Sequence, residues 1–598
     1  MEQQQSDNTA FGRHIPLLAW ATLFAAASVL FTGYHVYCAN QDLQIPLVRL
    51  LNDPSLYPHD PFAATLPYYA SLVWRVVALC ARSVPLEPVL LVFFIVARVL
   101  AIYAAGNLAL ALAPRSRLAM AAAMAFIATD PVPIIGGGTI LAPYFEQTSL
   151  AVGLFMMAMA AFYRRGPVAW AIWLAVGFNC NSLYGVYALT YFGAVLLIGS
   201  DHRREWKRWL GSLGLFAMLS IPEIALSAAA FGKGTVSADL WLAACHARVP
   251  HHIFLSTWPW IKFVRFTILM LVVACAMRRG RRAADARRQV FTWMAVSVAW
   301  VMIAMAAEGL RSPSMLILQP ARATDLWSCF GVIALMAVCL GSVEASLPSL
   351  GKLRWGGALL ALIPFVLFHP VGYAGLVLAV LLVASGCLLP KRRPPLPSIQ
   401  ESFPEGESAV RPPARTPGGI VSTGNRLTVA VAILILAIGF RAFGERVRIT
   451  GRLSTALVIA HSGSIRGVCD WARASTSKDA TFLVNPNWGE FRALSVRPAF
   501  VTWEDGSALL WYRPFAVSWS ERMQALGCDV TNGRLPGRHI NRRFDRLYAA
   551  LTDSDAFRLA ERYYVRYWVV TAMRKSALPV VYRDRYFKVL RVVTAQKK

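Results

Sequence analysis

Acidic side chains follow the first long apolar run of the chain and are the first candidates for chemistry. Asp42 comes directly after this run, whereas Asp53 and the pair His59 and Asp60 stand just before prolines. A carboxylate can act as a general base or hold a divalent cation beside a phosphate. Residues before a proline also cap turns, so a structural interpretation is favoured for Asp53. For Asp42 the functional and structural interpretations both stay open.

A second group combines a carboxylate with histidines. Glu146 lies in the segment PYFEQTS at the expected start of a helix, where the helix dipole also stabilises a carboxylate, so functional and structural roles are both open. His251 and His252 follow His246 and Arg248 in the segment ACHARVPHHIF. Because adjacent histidines point in different directions on most backbones, contact with a substrate or a phosphate is favoured over metal ligation.

Two arginines form the third group. Arg311 lies in the segment GLRSP, and Arg322 lies in LQPARATD. An arginine at a membrane boundary can bind a phosphate through two parallel hydrogen bonds. For Arg322 an ion pair with Asp325, three residues further along a helix, is an equal alternative.

These groups are separated by apolar runs of membrane-spanning length. The chain is 57% hydrophobic and only 15% charged, and a bilayer requires about 20 apolar residues per helix. We therefore expect a polytopic α-helical membrane protein with about thirteen spans. They lie near residues 15–39, 86–113, 117–132, 148–163, 167–180, 183–199, 209–230, 257–277, 289–307, 318–341, 354–368, 371–389 and 427–443.

The basic residues predict how these spans are oriented. The net charge is +28, and the positive residues cluster in short loops between apolar runs, for example at 203–208 and 278–288. This is the positive-inside pattern, so these loops are expected in the cytoplasm and the C-terminus outside it. Nucleic-acid binding would need basic residues on one folded face and is not expected.

The composition divides the chain into parts. Residues 1–389 are expected to form the multi-span domain, with a long first outer loop at 40–85. Residues 390–426 are rich in proline and basic side chains, which predicts a disordered cytoplasmic linker before the last span at 427–443. Residues 445–598 contain no apolar run of spanning length and are expected to form a small extracytoplasmic α/β domain, here called the tail.

Within the tail, helices are predicted near 464–475, 519–526 and 553–563, the last with Asp553 or Ser554 as its cap. Strands are predicted near 480–486, 499–502, 567–571, 580–582 and 586–593. The ten cysteines of the chain show no metal-binding spacing. Cys469 and Cys528 would be exported with the tail, where either a disulfide or two free thiols is consistent with the sequence.

The arrangement of one early outer loop with carboxylates, many further spans and an outer α/β tail resembles the GT-C superfamily of polyprenyl-phosphate-dependent glycosyltransferases. The segments NDPSLYPHDPF, RVPHHIF, LQPARATDLW and FRALSVRPAFVTWED resemble a bacterial branch of it. The likeness covers most of the chain, but only these strings are specific. Two departures are the lack of an acidic partner after Asp42 and NCNSLYG where relatives often carry His-Pro.

The resemblance implies a transferase that takes a sugar from a polyprenyl-phosphate donor at the outer face of the bacterial inner membrane, with a periplasmic tail. It implies Asp42 as the catalytic base, with Asp60 as second choice, and donor-phosphate contacts from Arg311, Arg322 and either His251 or His252. Glu146 is a further candidate for contact with the substrate or its phosphate, because an ionisable group near a span usually has a partner or a task. The partners implied are membrane lipid and lipid-linked sugar. A divalent cation stays open, and no other cofactor or protein partner is indicated.

Two other classes of protein share this topology. A transporter or flippase of lipid-linked sugars would place ionisable residues in mid-span pairs, and here Arg98 and Glu223 are the main mid-span candidates. A non-catalytic protein of envelope-polymer assembly would keep every topological feature. The absence of a glycine-rich nucleotide motif argues against a soluble nucleotide donor.

Overall fold

Helices over the apolar runs make up the first part of the molecule. The computed structural model describes residues 2–129, 135, 140–199, 204–230, 235–279, 284–345, 443–448, 458–460, 463–531 and 540–592. The helices before residue 346 are α1 (Glu2–Thr32), α2 (Gln41–Asn52), α3 (Leu72–Cys80), α4 (Leu86–Leu112), α5 (Arg117–Ala128), α6 (Gln147–Tyr163), α7 (Pro167–Cys180), α8 (Ser182–Ile198), α9 (Trp206–Ala230), α10 (Ala238–Arg248), α11 (Pro250–Ile253), α12 (Trp260–Arg279), α13 (Ala284–Gly309), α14 (Pro313–Leu316) and α15 (Thr324–Ala345).

Ten of the thirteen predicted spans coincide with helices in the described part of the chain. Five segments are long and apolar enough to cross a membrane, at Leu86–Leu112, Trp206–Ala229, Trp260–Arg278, Ala286–Gly309 and Pro313–Gly341. The prediction of a helical protein with membrane-length helices is confirmed. The thirteen-span count stays a prediction, and the spans at 354–368, 371–389 and 427–443 and the linker at 390–426 lie outside the described residues.

Helix α4 lies at the centre of the helical part. It packs against α1, α5, α6 and α15. Helix α5 has only twelve residues, and all of them from Leu118 to Ala128 are buried. Its run of alanines and methionines lets neighbouring helices approach closely, which is typical of helix contacts within a bilayer.

The first outer loop differs from its prediction at its start. Helix α1 ends at Thr32, and the residues that follow form strand β1 (Tyr34–Val36). This strand pairs in parallel with β2 (Val458–Ala460). The span predicted to continue to residue 39 is therefore too long, and Asp42 lies in the first turn of α2 instead of directly after α1.

The tail forms an α/β unit with a four-stranded sheet. Its helices are α16 (Arg466–Ser475), α17 (Phe491–Ser495), α18 (Phe515–Ala525), α19 (Ile540–Ala550) and α20 (Asp553–Tyr563), and its strands are β3 (Thr481–Leu483), β4 (Val565–Thr571), β5 (Val580–Arg583) and β6 (Phe587–Arg591). The strand order is β3-β4-β6-β5, with β3 and β4 parallel and the other pairs antiparallel.

Several tail predictions need correction. The strand expected at 499–502 is reduced to a single bridge between Phe482 and Ala499. Helix α20 is capped by Thr552, whose hydroxyl accepts from the Asp555 amide while Asp555 accepts from the Thr552 amide, a capping box in place of the predicted cap. Cys469 and Cys528 are both buried free thiols.

Candidate functional site

A cavity of about 1070 Å³ lies where the first outer loop, the helical part and the tail meet. The first outer loop and α6 contribute polar and aromatic side chains, and α8 and α9 contribute apolar ones. Helix α11 contributes two histidines, α12 contributes a lysine, and the tail closes the cavity with residues between 507 and 514. The lining includes Asn40, Tyr68, Tyr69, Glu146, Gln147, Thr148, Asn181, Leu183, Val186, Ile224, His251, His252, Lys262, Gln319, Arg322, Trp511 and Arg513.

Arg322 is the buried cation of this cavity. It belongs to a 3₁₀ turn (Pro320–Ala323) that follows Gln319, whose φ of 44° is left-handed. Its Nη1 donates to Gln319 Oε1 at 3.0 Å, and its Nη2 donates to the Tyr184 hydroxyl at 3.2 Å. Its Nε has no hydrogen-bond partner among the described residues and lies 3.9 Å from Asp325 Oδ2. The ion pair predicted with Asp325 therefore leaves the Nε–H of the guanidinium unused.

Asp325 is held by a second group. The Tyr184 hydroxyl donates to Asp325 Oδ2 at 2.5 Å. The guanidinium of Arg322 also lies over the Tyr184 ring, 5.3 Å from its centroid. These contacts fix the direction of Arg322 before any ligand binds, which lowers the entropy cost of binding an anion.

The two histidines line the cavity as neutral bases. Their rings lie 4.0 Å apart, and His252 Nδ1 has no hydrogen-bond partner among the described residues. Desolvation lowers the pKa of His251 to about 4, and the positive charges of Arg248, Arg322 and Lys262 act in the same direction. Desolvation also lowers the pKa of His252, with Arg322 as the next cause. At neutral pH both rings are therefore uncharged and can accept or donate a hydrogen bond.

Glu146 is the one carboxylate in the described lining of the cavity. It directly precedes α6 and is 7% exposed. Asn40 Nδ2 donates to its Oε1 at 2.7 Å. Burial raises the pKa of Glu146, an effect that Arg322 partly offsets. A carboxyl group with a raised pKa is suited to proton transfer near neutral pH.

Asp42 points toward the tail and is absent from the described lining of the cavity. It is 7% exposed, and its Oδ1 has no hydrogen-bond partner among the described residues. Burial raises its pKa, and the nearby carboxylates of Glu490, Glu504 and Asp505 raise it further. Its other oxygen, Oδ2, lies only 2.5 Å from the point where a Cβ on Gly489 would stand.

Asp60 lies in a buried ion-pair network at the junction of the loop with the tail. Arg492 Nε donates to Asp60 Oδ2 at 2.6 Å, and its Nη1 donates to Asp505 Oδ1 at 2.5 Å. The three side chains are almost wholly inaccessible to solvent. The site roles predicted for Asp42 and Asp60 stay predictions, and the structure brings neither residue to the cavity lining described above.

Arg311 lies apart from the other predicted phosphate-binding residues. It is exposed and pairs with Asp239, also exposed, at 2.8 Å. The structure thus brings together Glu146, His251, His252 and Arg322 of the sequence-predicted set, and leaves Arg311 outside.

Sequence reasoning missed the contributions of Lys262, Trp511 and Arg513 to this cavity. Trp511 and Arg513 lie in the segment LLWYRPF, which places aromatic residues next to a basic one. The composition of that segment could have marked it as a candidate binding segment. Only its tertiary contacts show that it faces the first outer loop.

A metal site finds no support in this arrangement. Among the described residues, no three His, Cys, Asp or Glu side chains are placed to hold one ion. Glu490 and Glu504 are near enough to Asp42 for their charges to raise its pKa, but Glu504 is already paired with Arg248.

Comparisons with known proteins gave three results. Residues 463–526 match a family model described as "Domain of unknown function (DUF6798)". No curated protein matches the chain. Among solved structures, the oligosaccharyltransferase of Archaeoglobus fulgidus tethered to an acceptor peptide containing the NVT sequon is 13% identical, covers 94% of this chain and 69% of that chain, and gives a TM-score of 0.42. The apo form of the same enzyme gives a TM-score of 0.38 at the same identity and coverage.

Proposed function

We propose that the protein is an integral membrane glycosyltransferase that moves a sugar from a polyprenyl-phosphate donor to an acceptor at the outer face of the bacterial cytoplasmic membrane. The observation that carries the proposal is the mixed lining of one cavity. Apolar side chains of α8 and α9, namely Leu183, Val186 and Ile224, line the same space as the buried cation Arg322 and the carboxylate of Glu146.

Each part of this lining suits one part of the donor. The polyprenyl chain requires an apolar groove between helices, which α8 and α9 supply. The phosphate requires positive charge and hydrogen-bond donors, which Arg322 and Lys262 supply. As the bond from sugar to phosphate breaks, negative charge on the phosphate grows, and a prepositioned guanidinium stabilises it.

Glu146 is our choice for the group that takes the proton from the acceptor. It lies in the cavity with Arg322 nearby, and its raised pKa makes proton uptake favourable. Asn40 orients its carboxylate through one hydrogen bond. Asp42 remains the alternative base that the sequence resemblance implies. Substitution of each carboxylate in turn distinguishes Glu146 from Asp42.

The mid-span ionisable residues do not favour a transporter. Arg98 donates to the Ser28 hydroxyl and, at 2.9 Å, to the Ala142 carbonyl. Glu223 accepts from the Leu72 amide at 3.1 Å. Both side chains therefore hold loops and helices together, which is a structural role.

The test uses full-length protein in lipid nanodiscs with synthetic polyprenyl-phosphate hexoses as donors. Glu146→Gln should lower turnover by about 10²–10⁴, the usual range for loss of a general base, while donor binding stays near wild type. Arg322→Gln should weaken donor binding. Glu521→Gln and Arg558→Gln change exposed residues of the tail and serve as matched controls.

The same series includes Asp42→Asn. If Asp42 is the base, its substitution gives the larger loss of turnover and Glu146→Gln the smaller, which would reverse our assignment. Binding of the donor without transfer by the wild-type protein, under every acceptor tried, would favour a non-catalytic role over the proposed reaction.

A further inference from the structure

Aromatic rings from two distant segments of the chain meet at the cavity. Tyr68 and Tyr69 close a 3₁₀ turn of the first outer loop (Ala63–Tyr68), and Trp511 and Tyr512 follow a 3₁₀ turn of the tail (Glu504–Leu510). Tyr68 stacks on Tyr512 with centroids 4.8 Å apart and planes at 10°. Tyr69 meets Trp511 edge to face at 4.9 Å. Tyr68, Tyr69 and Trp511 line the cavity, and the reaction proposed at the phosphate uses none of them.

Hydrogen bonds hold two of these rings in fixed directions. Trp511 Nε1 donates to the Thr65 carbonyl at 3.2 Å. The Tyr69 hydroxyl accepts from Gln147 Nε2 at 2.5 Å and from Gln44 Nε2 at 3.3 Å. Tyr69 and Trp511 are only partly buried, so part of each ring surface is left open. The site is thus preorganised in the absence of a ligand.

The neighbours of the rings are neutral amides and hydroxyls. Asn40, Gln147, Thr148 and Asn181 line the same cavity. The face of an aromatic ring carries partial negative charge and attracts the weakly positive C–H groups of an apolar surface. Amide groups both donate and accept hydrogen bonds, as sugar hydroxyls do. A pyranose ring, with one C–H face and a rim of hydroxyls, matches this combination better than an apolar peptide side chain does.

We propose that Tyr68, Tyr69 and Trp511 form a carbohydrate subsite in which a pyranose ring packs on Trp511, so that the tail takes part in selecting the sugar. This inference rests on the proposed function, because the cations in the same cavity would hold the donor phosphate beside the subsite. The pyranose can belong to the donor or to a glycan acceptor, and the experiment separates these sources.

The experiment measures binding to full-length protein in lipid nanodiscs by displacement of radiolabelled geranylgeranyl phosphate. The probes are unlabelled geranylgeranyl phosphate, the same lipid phosphate carrying glucose, galactose or N-acetylglucosamine, and free maltotriose and chitotriose in the presence of the lipid. If the subsite binds the sugar of the donor, the wild type should bind at least one glycosylated lipid more tightly than the sugar-free lipid. If the subsite binds a sugar of the acceptor, the wild type should bind a free trisaccharide.

Trp511→Leu should weaken sugar-dependent binding by about three- to tenfold, the range of one aromatic contact, and leave binding of the sugar-free lipid phosphate unchanged. Trp511→Phe keeps a ring face and should retain most of the preference. Tyr586→Leu changes an exposed aromatic residue of the tail surface and is the control. Thermal unfolding of each variant shows whether the fold is kept.

Two results would overturn the subsite and leave the proposed function standing. One is a sugar preference that Trp511→Leu does not change, while Arg322→Gln abolishes binding of the lipid phosphate. The other is a wild-type protein that binds the lipid phosphate, prefers none of the glycosylated lipids and binds neither trisaccharide. A wild-type protein that binds no lipid phosphate at all would overturn both proposals.

Discussion

Arg492 neutralises two carboxylates at the solvent-inaccessible contact between the first outer loop and the tail. Its guanidinium is 1% exposed, donates to Asp60 and Asp505, and also donates to the Ala499 carbonyl at 3.1 Å. A buried charge that loses its partner is strongly destabilising. At the scale of single residues, this network gives Asp60 a structural role, and its catalytic role stays a prediction.

Asp60→Asn should therefore lower the free energy of unfolding by about 3 kcal/mol, the lower end for a broken buried pair, because Asp505 stays in place. Turnover per folded molecule should be unchanged. Denaturant unfolding of the purified protein measures the first quantity and sugar transfer the second. Asp53→Asn is the matched control, since Asp53 pairs with Lys478 at the surface and its loss should change little. A fall in turnover by orders of magnitude with normal stability would instead support a catalytic role for Asp60.

Arg311→Gln tests the remaining phosphate-binding prediction. Its guanidinium is exposed, as is its partner Asp239, so we expect unchanged binding of geranylgeranyl phosphate, in contrast to Arg322→Gln. A comparable loss of affinity in both variants would show that Arg311 reaches the lipid phosphate in the bound state.

At the scale of elements, α2 packs against the tail through a glycine. A Cβ on Gly489 would stand 2.5 Å from Asp42 Oδ2 and 2.8 Å from Glu504 Cγ. Gly489→Ala should therefore destabilise the contact by about 1–3 kcal/mol, as overpacking does. Gly193→Ala in α8 is the control, because no atom lies within 4 Å of its added methyl group. Equal unfolding temperatures for the two variants would contradict the tight contact between α2 and the tail.

The same contact makes stability depend on pH. Burial raises the pKa of Glu490 from 4.5 to about 7, and Glu504 adds to the shift. Because the folded state holds the proton more tightly than the unfolded state, stability should fall as pH rises between about 4.5 and 7. Asp42 acts in the same direction. Unfolding temperatures measured from pH 5 to 8 should decline less steeply for Glu490→Gln, and an equal decline for both proteins would exclude this origin.

The elements show what a sequence can predict here. Apolar length locates the helices, since burial in a bilayer acts on each segment by itself, and α20 has the predicted bounds, Asp553–Tyr563. The short strand β1 was missed because its three residues continue an apolar run, and only β2, more than 400 residues later, supplies its hydrogen bonds. Arg322 and the neutral His251, which line the cavity, were predicted as candidates because they are polar groups between apolar segments. Trp511 was missed because its role depends on a long-range contact with the loop.

At the scale of the whole molecule, the first outer loop and the tail must lie on one side of the membrane. Strand β1 pairs with β2, Asp60 pairs with Arg492, and Tyr68 stacks on Tyr512. These contacts join segments that are distant along the chain. The membrane side of one segment therefore determines the side of the other, and with it the side on which the cavity opens.

The basic loops predict that this side is outside the cytoplasm, because positive residues cluster at 203–208 and 278–288 and are few at 40–85. Alkaline phosphatase, which is active only outside the cytoplasm, should be active when fused after residue 598, and green fluorescent protein in the same place should not fluoresce. Fusions after residue 202, in a predicted cytoplasmic loop, should give the opposite pair of results. A fluorescent C-terminal fusion would place loop, tail and cavity in the cytoplasm, where a lipid-linked donor on the outer face is out of reach.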